Sequence, residues 1–120
     1  MWADVEKLTI DYLNSANLGV PIATTVPASD RPSRFVRLQS GGSRRRTIVH
    51  RDTRVTVECW SSLNEEDASH LAELVYQTLD DWDLVPPFDG WQAGPYPQPD
   101  PDTGTPRYVM TVIIRHRMED

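Results

Sequence analysis

A single cysteine, Cys59, leaves this 120-residue chain no internal disulfide, and nothing in it points to an oxidising compartment. No apolar run approaches the ~20 residues that a bilayer crossing needs. The opening MWADVEKLTIDYL carries acids and lacks the basic n-region of a secretory signal. The expectation is a protein made and folded in a cytoplasm. Histidine is scarce: His50, His70 and His116 are the three, and with Cys59 they stand at neither HxxxH nor CxxC spacing, so no metal site is expected. GxSxG, Walker and EF-hand signatures are missing. Gly41-Gly42 leads into a strand rather than a helix, which disfavours a phosphate-cradling loop. Cys59 alternates in phase with Val55 and Val57 and reads as a small core residue. The expectation is no enzyme, no catalytic residue and no cofactor.

Charge of one sign is also missing over a long stretch. From Val55 to Pro106 there is no Lys or Arg, while Glu58, Glu65, Glu66, Asp67, Glu73, Asp80, Asp81, Asp83, Asp89, Asp100 and Asp102 fall there. From Arg31 to Arg54 the pattern reverses: Arg31, Arg34, Arg37, Arg44, Arg45, Arg46, Arg51 and Arg54 face one acid, Asp52. Such segregation has two readings. The regions neutralise each other within one subunit, or they attract copies head to tail, giving a closed ring or an open filament. The net charge of −6 argues against a general nucleic-acid binder.

Periodicity gives an α+β reading. Asp4 to Asn17 predicts a helix with Val5, Leu8, Tyr12, Leu13 and Ala16 on one side; Pro21 ends it. Pro21 to Val26 reads as extended, Pro27 to Pro32 as a loop and Ser33 to Ser40 as a strand. Gly41-Gly42-Ser43 reads as a turn, placing Arg44-Arg45-Arg46 at a hairpin tip. Thr47 to His50 is then a short strand, Arg51 to Thr53 a link, and Arg54 to Ser61 the strongest strand. Ser62 to Trp82 predicts a second helix, capped by Ser62 with Glu65 or by Asn64. Its buried stripe is Ala68, Leu71, Ala72, Val75, Leu79 and Trp82. Trp91 to Tyr96 reads as a strand, with Trp91 and Tyr96 either in the core or on a partner. Pro95 to Pro106 reads as an ordered loop or an arm. Arg107 to Arg117, apolar on both faces, reads as a strand inside the sheet. The expected fold is one domain over residues 1–120: a mostly antiparallel sheet with two amphipathic helices packed on one face.

Two polar features ask for a role. Arg44, Arg45 and Arg46 are suited to bidentate carboxylate or phosphate pairing, or they are a solvated turn. Glu66, Glu73 and Asp80, seven residues apart, line one helix stripe. With Asp81 and Asp83, Asp80 also crowds the negative end of the helix dipole, where each exposed acid costs roughly 0.3–1 kcal/mol.

The order of these pieces resembles the tail terminators of long-tailed, siphovirus-type actinobacterial phages. The resemblance is carried by ADVEKLTIDYL, LGVPIATTVP, RFVRLQSGGSRRR, RVTVECW, HLAELV and DPDTGTPRYVMTVIIR, and it spans the chain. Head-completion and neck connector proteins of the same phages share the layout. The resemblance implies a structural virion protein: a hexameric ring on the head-proximal end of the tail tube that stops tube polymerisation and offers the head-joining surface. Its implied partners are further copies of itself, the tail tube protein and the head–tail connector or neck proteins. Genomic DNA passes through the ring without specific binding, and no membrane is involved.

Combined with the charge pattern, this predicts a subunit interface with Arg34, Arg37, Arg44, Arg45 and Arg46 on the basic side and Glu66, Glu73 and Asp80 on the acidic side. The Pro95–Pro106 loop, with Asp100, Asp102 and Thr103, is the expected contact to the tail tube or connector. A nucleic-acid module built on the Arg-rich hairpin, and a small enzyme whose site assembles only in three dimensions, are the readings from other classes.

Overall fold

The computed structural model describes residues 4–26, 31–85 and 93–117. The elements run α1 (Val5–Ser15), β1 (Ile22–Ala23), β2 (Arg34–Arg45), β3 (His50–Ser61), α2 (Glu65–Asp80), β4 (Ala93–Pro97) and β5 (Arg107–Arg117). The five strands form one sheet in the order β1-β2-β3-β5-β4. β1 runs parallel to β2, and every other neighbouring pair is antiparallel. The architecture is α+β, and β5 is paired on both edges, by β3 and β4, as its two apolar faces require.

Each helix starts where a side chain takes up an orphan backbone N–H. Asp4 caps α1 by accepting from the Lys7 N–H at 3.2 Å. Val5, Thr9 and Leu13 are its buried residues. Leu8 is only half-buried and Ala16 is exposed, contrary to the sequence reading. Thr9 is tolerated inside because its hydroxyl donates to the Val5 carbonyl at 2.7 Å. α2 is capped by Asn64, whose side chain accepts from the Asp67 N–H at 2.7 Å. The helix therefore begins at Glu65, three residues later than Ser62. The Ser62 backbone N–H instead ties to the Ser33 carbonyl at 2.8 Å. Trp82 lies beyond the helix end and stacks on Tyr12 with ring centroids 4.4 Å apart. Tyr12 in turn donates to the Thr78 carbonyl at 2.7 Å, tying α1 to α2.

Strand register brings Val36 and Leu38 beside Cys59 and Val57, and Val55 and Val57 beside Val112 and Met110. These residues share one hydrophobic cluster with Val5 and Leu13 of α1 and with Leu71, Ala72, Val75 and Leu79 of α2. Each Val, Leu or Met side chain among them contributes roughly 1.5–3 kcal/mol on burial, against a typical 0–1 kcal/mol for an exposed ion pair. The cluster, not the surface charge, holds the fold.

The β2–β3 hairpin departs from the sequence reading. Gly41, Gly42 and Ser43 are not a turn: β2 runs through them, with a register shift between Ser40 and Ser43. The pairing continues through Ser43–Thr53, Arg44–Asp52 and Arg45–Arg51. Arg44 and Arg45 thus end a strand, and Arg51 to Thr53 begin one instead of linking two. The true reversal is Thr47 to Val49, which was expected to be a strand. Thr47 Oγ1 accepts from the Val49 and His50 N–H groups at 3.3 and 3.0 Å, a side chain-to-backbone turn of the Ser/Thr type. Among the described residues three strands, not four, precede α2.

β4 also approaches β5 closely. At Gly94, φ is +98° and an added Cβ would lie 2.7 Å from the Val109 carbonyl oxygen, so glycine is required there on both counts. Trp91 lies outside the described residues; Tyr96 is exposed.

Candidate interaction surface

Arg34, Arg37, Arg44 and Arg46 are held by their own chain, whereas Arg45 makes no ion pair among the described residues. Arg34 is a half-buried partner of Asp67 at 2.9 Å, and Ser61 donates to the same carboxylate oxygen at 2.7 Å. That hydroxyl bond leads in setting the Asp67 carboxyl below its ordinary pKa; burial pushes the other way, and the Arg34 charge and hydrogen bond add to the lowering. Arg37 pairs with Glu58 at 3.2 Å and also donates to the Thr24 carbonyl. Both arginines lock strands or helix to sheet within one subunit, and both are half-buried.

Arg44 and Arg46 converge on Asp52, each at 3.5 Å. Arg115 completes the cluster from β5, donating to both carboxylate oxygens at 3.0 and 3.3 Å. The Asp52 side chain is wholly buried beneath these guanidiniums. Burial alone would raise its pKa. The Arg115 hydrogen bond and the charges of Arg115, Arg46 and Arg44 outweigh that push and hold it below the ordinary carboxylate range. In sequence Asp52 was the lone acid among eight arginines, and that was the signal for this cluster. Beside it, His116 is buried and shares a 2.8 Å hydrogen bond with the Thr53 hydroxyl. Burial, then the Arg51 charge, lower its pKa, with a partial opposing pull from Asp52.

Arg45 differs from its neighbours. It is exposed, it faces Arg51 across the hairpin, and it makes no ion pair among the described residues. Like charges directly opposite are mildly destabilising. The turn beyond it presents Ile48 at 82% exposure and Val49 at 38%. The sequence reading missed this apolar tip because it took the same two β-branched residues for strand.

On α2 the predicted acidic stripe is real. Glu66, Glu73 and Asp80 are all exposed. Glu66 has His70 at 4.0 Å; Glu73 and Asp80 have no ion-pair partner among the described residues. The last turn of α2 carries no basic residue. Leu74, beside Glu73, is 46% exposed.

The Asp100–Thr105 segment folds on itself. Thr103 donates to the Asp100 carboxylate through its hydroxyl at 2.6 Å and its N–H at 3.2 Å. Gly104 and Asp100 close the backbone ring, with Gly104 N–H to Asp100 carbonyl at 2.8 Å. The Thr103 hydroxyl bond leads in lowering the Asp100 pKa. Asp100 and Thr103 therefore shape this loop, and Asp102 is the acid it presents outward.

Elsewhere the sheet face opposite the core carries Trp60. It stacks on Phe35 at 5.2 Å, with the guanidiniums of Arg107 and Arg31 at 5.1 and 5.8 Å from its ring. Cys59 is buried and its thiol is pushed up to about 12 by burial and then by Glu58. Among the described residues no group of three or more His, Cys, Asp or Glu is arranged to hold a metal ion, and no helix is long and apolar enough to cross a membrane. No known protein-family model matches the chain, and no curated protein matches it.

Proposed function

We propose that this chain is a structural subunit of a long-tailed phage, assembling head to tail into a ring that ends the tail tube and offers the surface for head joining. The observation that carries the reading is the unmatched charge of one subunit: Arg45 at the end of the β2–β3 hairpin, and Glu73 and Asp80 on α2, each exposed and without an ion pair in their own chain among the described residues. A subunit with complementary unpaired patches on different elements satisfies both by heterologous association. The end-to-end resemblance of its motifs to tail terminators supplies the biological setting.

Arg45 is the interface residue, with Arg44 and Arg46 supporting it through Asp52. Glu66, Glu73 and Asp80 form the receiving surface, and Asp102 marks the loop offered to tube or connector. The ring acts by occupying the growing end of the tube, so its work is binding and shape, with no bond made or broken.

The test is tube assembly. Purified protein added to a polymerising cognate tail tube protein should give shorter tubes bearing ring density at one end in negative-stain electron micrographs. Unchanged tube lengths and bare ends would overturn the reading.

A further inference from the structure

We propose that the apolar tip of the β2–β3 hairpin, Ile48 with Val49, docks on Leu74 of α2 in a second copy of this chain, with Arg45 set beside Glu73. The inference rests on the head-to-tail reading above and names the contact that would carry it.

Ile48 is the most exposed large apolar side chain among the described residues, at 82%. A side chain so placed does nothing for its own subunit's core. It projects from a turn whose flanks are basic: Arg45 and Arg46 on one side, Arg51 on the other. An apolar knob ringed by guanidiniums calls for an apolar patch ringed by carboxylates.

Among the described residues, three other large apolar side chains off the hairpin are exposed: Leu63, Leu74 and Tyr96. Leu63 also has acids close by, Glu65 and Glu66, but it precedes the N-terminus of α2, where the positive dipole end offsets part of their pull on arginine. Tyr96 lies between Pro95 and Pro97 on β4, not on the helix that carries the acidic stripe. Leu74 sits in the second half of α2, next to Glu73 and one helical turn from Gln77. It is on the approach to Asp80 and Asp81 at the negative end of the dipole. Only Leu74 combines exposed apolar area with negative charge and a negative dipole end. Apolar burial supplies the drive, and the Arg–acid ring sets partner and orientation, the arrangement of an interface anchor.

The contact joins two different surfaces, so each copy offers one of each, and it propagates instead of closing as a pair. That makes it testable by cross-linking. The native thiol of Cys59 is buried and held protonated, so Ile48→Cys and Leu74→Cys introduce the reactive thiols. Under mild oxidation the double variant should give a ladder of covalent multimers on non-reducing gels, collapsed by dithiothreitol. The two single variants mixed should give a mixed dimer and nothing larger. Arg45→Glu in the double variant should cut the ladder several-fold, and adding Glu73→Arg should restore it.

A double variant that gives no ladder, while native mass spectra still show a ring, would overturn this contact and leave the ring standing. No ladder together with a strict monomer would remove both. Single variants that dimerise as well as the mixture would show a symmetric contact and overturn the proposal.

Discussion

Arg115 and Asp52 are register partners on adjacent strands, and the guanidinium donates to both oxygens of a carboxylate that has no exposed surface. Arg44 and Arg46 reach the same carboxylate from the neighbouring strand end. Three of the chain's arginines are thus organised by one acid, at the root of the hairpin whose tip is offered outward.

Removing one member of this cluster should be felt throughout the subunit. Arg115→Ala leaves the buried carboxylate without its bidentate partner and should cost about 3 kcal/mol, the low end for breaking a buried pair, because Arg115 itself is 34% exposed. Arg45→Ala, one residue from the same cluster, should stay within about 0.5 kcal/mol. Urea denaturation midpoints of the two variants check the contrast. The same geometry warns against replacing Arg44, Arg45 and Arg46 together, since that would remove two supports of Asp52 along with the exposed arginine.

Stability should fall with acid in two steps. His116 has a lowered pKa in the folded chain, so the unfolded chain takes up its proton first. The stability it contributes is complete above about pH 6.5 and declines as pH falls from there toward the lowered folded value. Asp52, also lowered, contributes stability that is complete above about pH 4 and is lost as pH falls through its folded value. Midpoints measured from pH 3 to 8 should show both slopes. His116→Gln should flatten the upper one, and Asp52→Asn should lessen the lower one, to which the lowered carboxyls of Asp67 and Asp100 also contribute.

Cys59 should be silent in the native state. Buried in the sheet core with its thiol pushed up to about 12, it should react with a disulfide probe only as fast as the subunit unfolds. A rapid stoichiometric reaction of native protein would contradict the placement.

The cap of α2 separates two readings of the same sequence. Asn64→Ala should cost about 1 kcal/mol, and Ser62→Ala less than that, because Asn64, not Ser62, accepts from the helix N–H groups. Thermal or urea unfolding of the two variants decides it.

These cases also mark what the sequence made legible. β5 was readable to its ends, because β-branched and apolar residues fill both faces of Tyr108 to Ile114 and only polar residues follow to Arg117. Five residues of the α2 stripe were readable from helical spacing alone. The hairpin was not. Gly41-Gly42-Ser43 has the composition of a turn, yet cross-strand pairing absorbs it as an irregularity in a long strand. Thr47-Ile48-Val49 has the composition of a strand, yet the Thr47 hydroxyl closes it as the turn. Local propensity lost to pairing register in both places, which is why Arg44 and Arg45 read as a tip although they lie in the strand. The candidate site suffered in the same way. Exposure of Glu66, Glu73 and Asp80 followed from helix phase, whereas the partners of Arg34, Arg37, Arg44 and Arg46 depend on contacts between elements, which no local pattern encodes.

The most direct measurement is native mass spectrometry of the wild-type chain and of Arg45→Glu, over a range of protein concentrations in low- and moderate-salt volatile buffer. The account predicts a dominant hexamer for the wild type that loosens as salt screens the Arg–acid contacts. It predicts a folded monomer for Arg45→Glu. A wild-type chain that is monomeric under every condition, or an Arg45→Glu ring as stable as the wild type, would contradict it.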